Sequence, residues 1–484
     1  MSNMPRKSHQ RKQRESTANA QEHWITCARI RALILVSLAL ATLNCGNVEA
    51  IGKMPPDPAA AALPVAESQD QPIPAGEDWP TRMHDNQRTG VTRESVAFPM
   101  SPLWTYTTER APAPAWTESP AIHDYLHNWY DLKPRQHFDR CMDVAIEGSR
   151  VYFGSSTSGA VTCLDIQDGS ERWSFFTDAP VRFSPHASDG RIYFGSDDGC
   201  VYCVDGETGK EIWRDRAVPR DDMVWGNQHM ISVWPVRTSV LVDGEDVFWT
   251  AGMFPEEDMF VCKRKALDGT AVWTKPAAAP PQGYLLALDD RLFVPSGKSF
   301  PRVYSRETGE CIGDVKNNVR DGGCWALIAP DTHEIWTGPT TANETQSFDP
   351  KNMARIASVR GANVLVVGSG FVYFTTDETL AKLDRDSQAI TWEKPLPYPH
   401  SLIKTRNCLF AGGEGEIAAI DFEGNRLWTA PVDGIAYGLA YAHGKLFVST
   451  DSGSIHCFQS AAPSRDTQTI VSRGAESQPL EPTG

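Results

Sequence analysis

Three stretches of this chain repeat one another. Gly148-Ser-Arg-Val-Tyr-Phe-Gly-Ser leads through Gly159 to Val161-Thr-Cys-Leu-Asp165, then to Gly169 and Trp173. Gly190-Arg-Ile-Tyr-Phe-Gly-Ser leads through Gly199 to Val201-Tyr-Cys-Val-Asp205, then to Gly209 and Trp213. Gly444-Lys-Leu-Phe-Val-Ser leads through Gly453 to Ile455-His-Cys-Phe458. Each unit reads as a short apolar strand, a Gly turn, a second strand, an Asp-Gly turn and a strand carrying Trp. Strand units at a fixed period cannot each bury a face alone. They must stack, as a propeller or a solenoid does.

The Trp spacing counts the units. Trp104, Trp173, Trp213, Trp273, Trp392 and Trp428 occupy the repeat position. From Trp173 to Trp213 is 40 residues, and from Trp392 to Trp428 is 36. Units without the Trp fill the gap between 273 and 392, around Arg291–Gly309 and Glu334–Asp349. Strand starts near Val151, Ile192, Val247, Leu292, Ile335, Val372, Leu409 and Leu446 give eight units. The last unit ends at Phe458 without its Trp strand, and Pro102–Tyr106 is a Trp strand without its unit. Pairing these halves closes a ring and removes open sheet edges. The span from Leu103 to Phe458 allows 44.5 residues per unit, matching the ~40–45 of a four-stranded blade. The expected fold is all-β: an eight-bladed β-propeller of four-stranded blades. The six repeat Trp residues read as blade-docking groups.

The segments Leu164-Asp165 to Gly169 to Trp173 and Val204-Asp205-Gly-Glu-Thr-Gly-Lys-Glu-Ile-Trp213 resemble the pyrroloquinoline-quinone (PQQ) repeat. Asp78-Trp79-Pro80, Asp85 and Arg88-Thr89-Gly90 are similar to the opening motif of PQQ-like propellers, which include bacterial outer-membrane assembly lipoproteins and uncharacterised exported proteins. The resemblance runs from about residue 79 to 458. It implies a quinoprotein oxidoreductase as one function, with PQQ and calcium in the central channel. The quinoprotein enzymes typically hold the quinone under a disulfide between adjacent cysteines, and no Cys-Cys pair stands here. Nor is there a C-x-x-C-H haem motif. A propeller hosts many functions, so repeat identity alone assigns none. The main expectation is a non-catalytic binding or scaffold propeller of the cell envelope, without a cofactor, taking an envelope protein or an anionic small molecule.

Outside the repeats the chain divides simply. Residues 1–50 read as a signal peptide, with a basic region and the apolar run Ala32–Leu43, too short for the ~20 residues of a bilayer span. Cleavage near Ala50 leaves a periplasmic or secreted chain with no transmembrane span. Cys45 offers lipid anchoring instead, which the neighbouring Asn44 disfavours. Residues 51–77 are a Pro/Ala-rich linker, 78–459 the propeller and 460–484 a polar tail; a monomer is expected. Nine cysteines follow Ala50, an odd number, and Cys163, Cys203 and Cys457 fall at one repeat position, where small buried hydrophobes fit. The formal charge of −15 excludes a nucleic-acid-tracking surface.

In a propeller, loops leading into the innermost strands ring the channel mouth. Those positions hold Arg140, Arg182, Arg237, Tyr284, Trp325, Asn363, His400 and Tyr437. Two readings stand for the arginines. They form an anion pocket with flanking aromatics, or they pair with Asp139, Asp143 and neighbouring carboxylates to brace the blades. Insertions at about Ala111–His137 and Val218–Trp234 both lead into Arg-bearing strands and cap this face. His123 and His127 in the first are weak metal candidates, sharing one face if helical.

Overall fold

The structure is a computed structural model, and it describes residues 76–115, 138–296, 301–314, 325–338, 343–351, 354–460 and 468–471. The signal peptide, Cys45, most of the linker, His123 and His127 lie outside the described residues, as does the tail apart from Ser460 and 468–471. All described residues belong to one compact unit, Pro72–Gly484. Apart from a short 3-10 turn at Pro255–Glu257, the regular structure of the described residues is strand, and no described helix is long and apolar enough to cross a membrane.

Eight four-stranded antiparallel blades form the fold. Their innermost strands are Val144–Glu147, His186–Ser188, Leu241–Asp243, Leu286–Leu288, Trp325–Ile328, Val364–Gly368, Ser401–Lys404 and the second half of Arg426–Ala442. Six blades are separate sheets. The seventh and eighth share Arg426–Ala442, which is the outer strand of one and then the innermost strand of the next. The ring closes as the half-units require: Met100–Thr107 pairs antiparallel with Ser454–Ser460, placing Trp104 opposite Cys457. Gln468–Val471 runs parallel along the outer edge of Met100–Thr107.

The repeat residues explain how blades adhere. Each repeat indole donates its Nε1–H to a carbonyl of the neighbouring blade: Trp104 to Ile166, Trp173 to Gly206, Trp213 to Ala266, Trp273 to Arg306, Trp392 to Phe422 and Trp428 to Met100. An aromatic residue of the second strand packs on the indole from within the blade, as Tyr152 does on Trp173 and Tyr193 on Trp213. The neighbouring blade supplies a glycine turn over the ring. At Gly209 (φ +68°) a Cβ would lie 2.6 Å from Trp173, and at Gly169 (φ +71°) 2.7 Å from Trp104. Only glycine accepts both the turn and the approach. Burying an indole removes roughly 150–250 Å² from water, about 4–6 kcal/mol at 25 cal/mol/Å². Cys163, Cys203 and Cys457 are free and fully buried, opposite Trp173, Trp213 and Trp104 in their ladders.

Residues 79–92 form a strap across the channel, which the repeat pattern does not foretell. Its backbone pairs with innermost strands around the ring. Trp79 exchanges bonds with Ile146, Pro80 accepts from Ala187, Asn86 from Ala287, Gln87 from Ile328 and Gly90 from Lys404. The Asn86 amide donates to the Val242 carbonyl. Left-handed backbone at Met83, His84 and Arg88 makes the strap's turns. Asp85 holds them, accepting from the amides of Gln87 and Thr89 and from the Thr89 hydroxyl. Glu94 anchors its far end by accepting from the amides of Glu77, His443 and Gly444.

Candidate ligand cavity

Beyond the strap, where the innermost strands begin, lies a cavity of about 370 Å³. Its floor is the strap, through Arg82, Met83 and Arg88. Its walls are the lead-in residues of six blades: Arg140, Cys141 and Asp143, then Tyr284, Trp325, Asn363, His400 and Tyr437. Six of the eight mouth residues expected from the repeat spacing therefore share one cavity.

Arg182 and Arg237 do not line it. Both are buried in an ion-pair quartet with Asp139 and Asp197. Arg182 Nε lies 2.6 Å from Asp197 and its Nη1 2.8 Å from Asp139; Arg237 Nε lies 2.7 Å from the other Asp197 oxygen. Two cations meet two anions, so the group is neutral and has no need of an added anion. Burial opposes the Arg182 charge, yet Asp197 and Asp139 hold it above the ordinary arginine range. Burial keeps Arg237 below that range. The quartet also ties the two insertions together. Asp139 accepts from the Ala115 amide, and Arg237 donates to the Asn227 side chain, whose amide donates to the Ala115 carbonyl. Asn227 sits at the tip of the hairpin Met223–Gly226 and His229–Ser232, which forms the second insertion. Phe138, Phe183 and Tyr284 fill the space beside the quartet, with Phe138 stacked on Phe183 at 4.7 Å.

Cavity cations differ in how far they are satisfied. Arg88 is 2% exposed and donates only to neutral acceptors: the Leu285 and Arg82 carbonyls and the Thr81 and Ser239 hydroxyls. Burial lowers its pKa to about 10. Arg82 pairs with Asp143 at 3.1 Å and lies over the Tyr284 ring at 4.6 Å. Asp143 also accepts from the Tyr284 hydroxyl at 3.2 Å. Burial raises the Asp143 carboxyl pKa despite the Arg82 charge. Arg140 donates to the Tyr437 hydroxyl at 3.1 Å and makes no carboxylate pair among the described residues. The His400 ring meets Tyr437 edge-on at 5.1 Å. Burial, then the Arg140 charge, pushes its pKa down. Across the cavity the Asn363 amide donates to Asp377 at 2.9 Å.

Sequence reasoning missed Arg82, Arg88, Asn343 and Asp377. The polar run Thr81-Arg-Met-His-Asp-Asn-Gln-Arg-Thr89 ahead of the first blade was the available signal, being too rich in hydrogen-bonding groups for an idle linker.

Trp-docked four-stranded blades, glycine turns over each indole and a cavity at the channel mouth define a PQQ-like repeat propeller. The family described as outer membrane protein assembly factor BamB matches residues 103–234 and 225–462, and the chain belongs to that family. No curated protein matches the sequence. Among solved structures, quinohemoprotein alcohol dehydrogenase from Comamonas testosteroni is similar at TM-score 0.58 and 12% identity, over 81% of this chain and 82% of that one. The computationally designed Ika8 protein is similar at TM-score 0.52 and 14% identity, over 67% and 97%. At these identities the likeness is one of fold. BamB from Moraxella catarrhalis aligns at TM-score 0.35 and 15% identity, over 64% and 82%.

Proposed function

We propose that the protein is a binding propeller of the cell envelope, whose channel-mouth cavity takes a small anionic ligand. One observation carries the reading. Among the described residues the lining holds Arg82, Arg88 and Arg140 against two carboxylates, Asp143 and Asp377, and Arg140 is matched by neither. An unmatched guanidinium beside aromatic rings, in a chain of net charge −15, is the chemistry of anion capture. The envelope location follows from the reading of residues 1–50 as an export signal.

The fold family implies PQQ with calcium, and the donor set does not fit the metal. Calcium takes about six to eight oxygens. Here Asp143 is bonded to Arg82 and Tyr284, and Asp377 to Asn363, while three guanidinium groups share the space. No cluster of three or more His, Cys, Asp or Glu suited to a metal lies among the described residues. The quinone itself is a planar carboxylate and belongs in the test as an anion.

The test is thermal stabilisation and calorimetry of the full chain against carboxylates, sulfates, phosphates and PQQ, alone and with calcium. At least one anion is expected to bind saturably and to lose binding in Arg140→Met. Binding that is unchanged in Arg140→Met, or no anion bound at all, refutes the reading. Binding that requires calcium supports the quinoprotein alternative.

A further inference from the structure

We infer that the ligand of this cavity is a sugar acid, a single carboxylate carried on a polyhydroxylated ring; this rests on the anion-binding reading above. The cavity is chemically two-sided. On the side of blades 1, 8 and 7 stands the Arg140 guanidinium, 5.4 Å from the Tyr437 ring, with His400 next in line. On the side of blades 5 and 6 stand Trp325, Asn343 and Asn363, the last bonded to Asp377. His400 lies between the two fields. Arg140 faces it as the cation, and Glu414, Asp451 and Asp377 as the anions.

Each side selects. Arg88 spends its donors on four neutral acceptors and Arg82 is paired with Asp143, so among the described residues one accessible cation remains, Arg140. One guanidinium matches one singly charged carboxylate; a doubly charged phosphate would need a second. The opposite side offers two carboxamides, which donate and accept at once. That pattern suits hydroxyl groups, which also do both. Trp325 is the tryptophan of the lining, and it begins an innermost strand instead of occupying the outer-strand docking position. A half-buried indole there offers a flat surface for the C–H face of a pyranose. The volume of about 370 Å³ accommodates one or two sugar rings.

The experiment is calorimetry on the full chain with D-galacturonate and D-glucuronate, their neutral parents D-galactose and D-glucose, and cyclohexanecarboxylate. One uronate is expected to bind about tenfold or more tighter than its parent sugar and than cyclohexanecarboxylate. Arg140→Met should abolish uronate binding, and Arg140→Lys should retain a weakened form, which separates lost charge from lost folding. Asn363→Ala should weaken the uronate about tenfold and leave cyclohexanecarboxylate unchanged. Cyclohexanecarboxylate binding as tightly as the uronates, in an Arg140-dependent way, overturns the sugar-acid class and leaves the anion reading standing. So does Arg140-dependent binding of another anion with neither uronate bound. Galactose or glucose binding as tightly as its uronate, or no anion bound at all, overturns both.

Discussion

Replacing Arg237 by Met should unfold this protein more readily and leave its cavity working. The four side chains of the quartet are at most 1% exposed, and the Arg237–Asp197 contact is 2.7 Å. At an effective dielectric constant of about 20, opposite charges ~4 Å apart attract by about 4 kcal/mol. Met fills similar volume, so packing loss is small. What remains is two carboxylates facing one guanidinium, an uncompensated buried charge costing about 3–5 kcal/mol. Asp197→Asn alone should cost a similar amount. The double variant restores neutrality, leaving Arg182 with Asp139, and should cost less than the two single losses together, by about 1–3 kcal/mol. Urea unfolding followed by tryptophan fluorescence reads these values. Anion stabilisation, measured in parallel, should persist in every variant that folds. A loss below about 0.5 kcal/mol, the scale of an ordinary surface substitution, would refute the buried quartet. Unchanged unfolding with lost anion binding would instead make Arg237 a ligand group.

Two further outcomes test the framework. Gly209→Ala should destabilise far more than Gly190→Ala: both have left-handed backbone, but a Cβ at 209 meets the Trp173 ring at 2.6 Å while at 190 nothing lies within 4 Å, so the second variant should cost only about 1 kcal/mol of strain; equal losses by thermal unfolding would mean the indole does not sit under that turn. The bond from His443, opposed by partial burial, holds the Asp78 carboxyl below the usual range. A lowered folded pKa contributes stability above the unfolded value of about 3.9, lost as pH falls through the folded value. Stability should therefore carry an acid-side slope below about pH 4 that Asp78→Asn reduces, and an unaltered slope would refute the His443 clamp.

The blades were legible because their signals are local and recur. Trp173 and Trp213 with Gly169 and Gly209 announce one blade each, and the orphan strand at Trp104 announces the closure. Six cavity positions were legible for the same reason, since the blade period fixes where each innermost strand begins. The quartet was legible save for one member, Asp139 being the bracing partner the sequence offered. Arg182 and Arg237 stood out through their shared Pro-Val-Arg context. Their main partner Asp197 lies in Ser196-Asp-Asp-Gly199, which reads as an ordinary turn until the fold brings it under both arginines. The strap was illegible as structure. It has no period of its own, and its partners are set by three-dimensional closure.

That strap also constrains how the molecule assembles. Its side chains bond across large loops: Gln87 reaches a carbonyl 200 residues away, and Glu94 an amide 350 residues away. The segment made before the first blade is thus satisfied only when the final blade is in place. Contacts of such sequence separation must overcome loop-closure entropy before they contribute, and chains dominated by them fold slowly. Until the ring is complete, the innermost strands present bare backbone toward the axis, open to pairing with other chains.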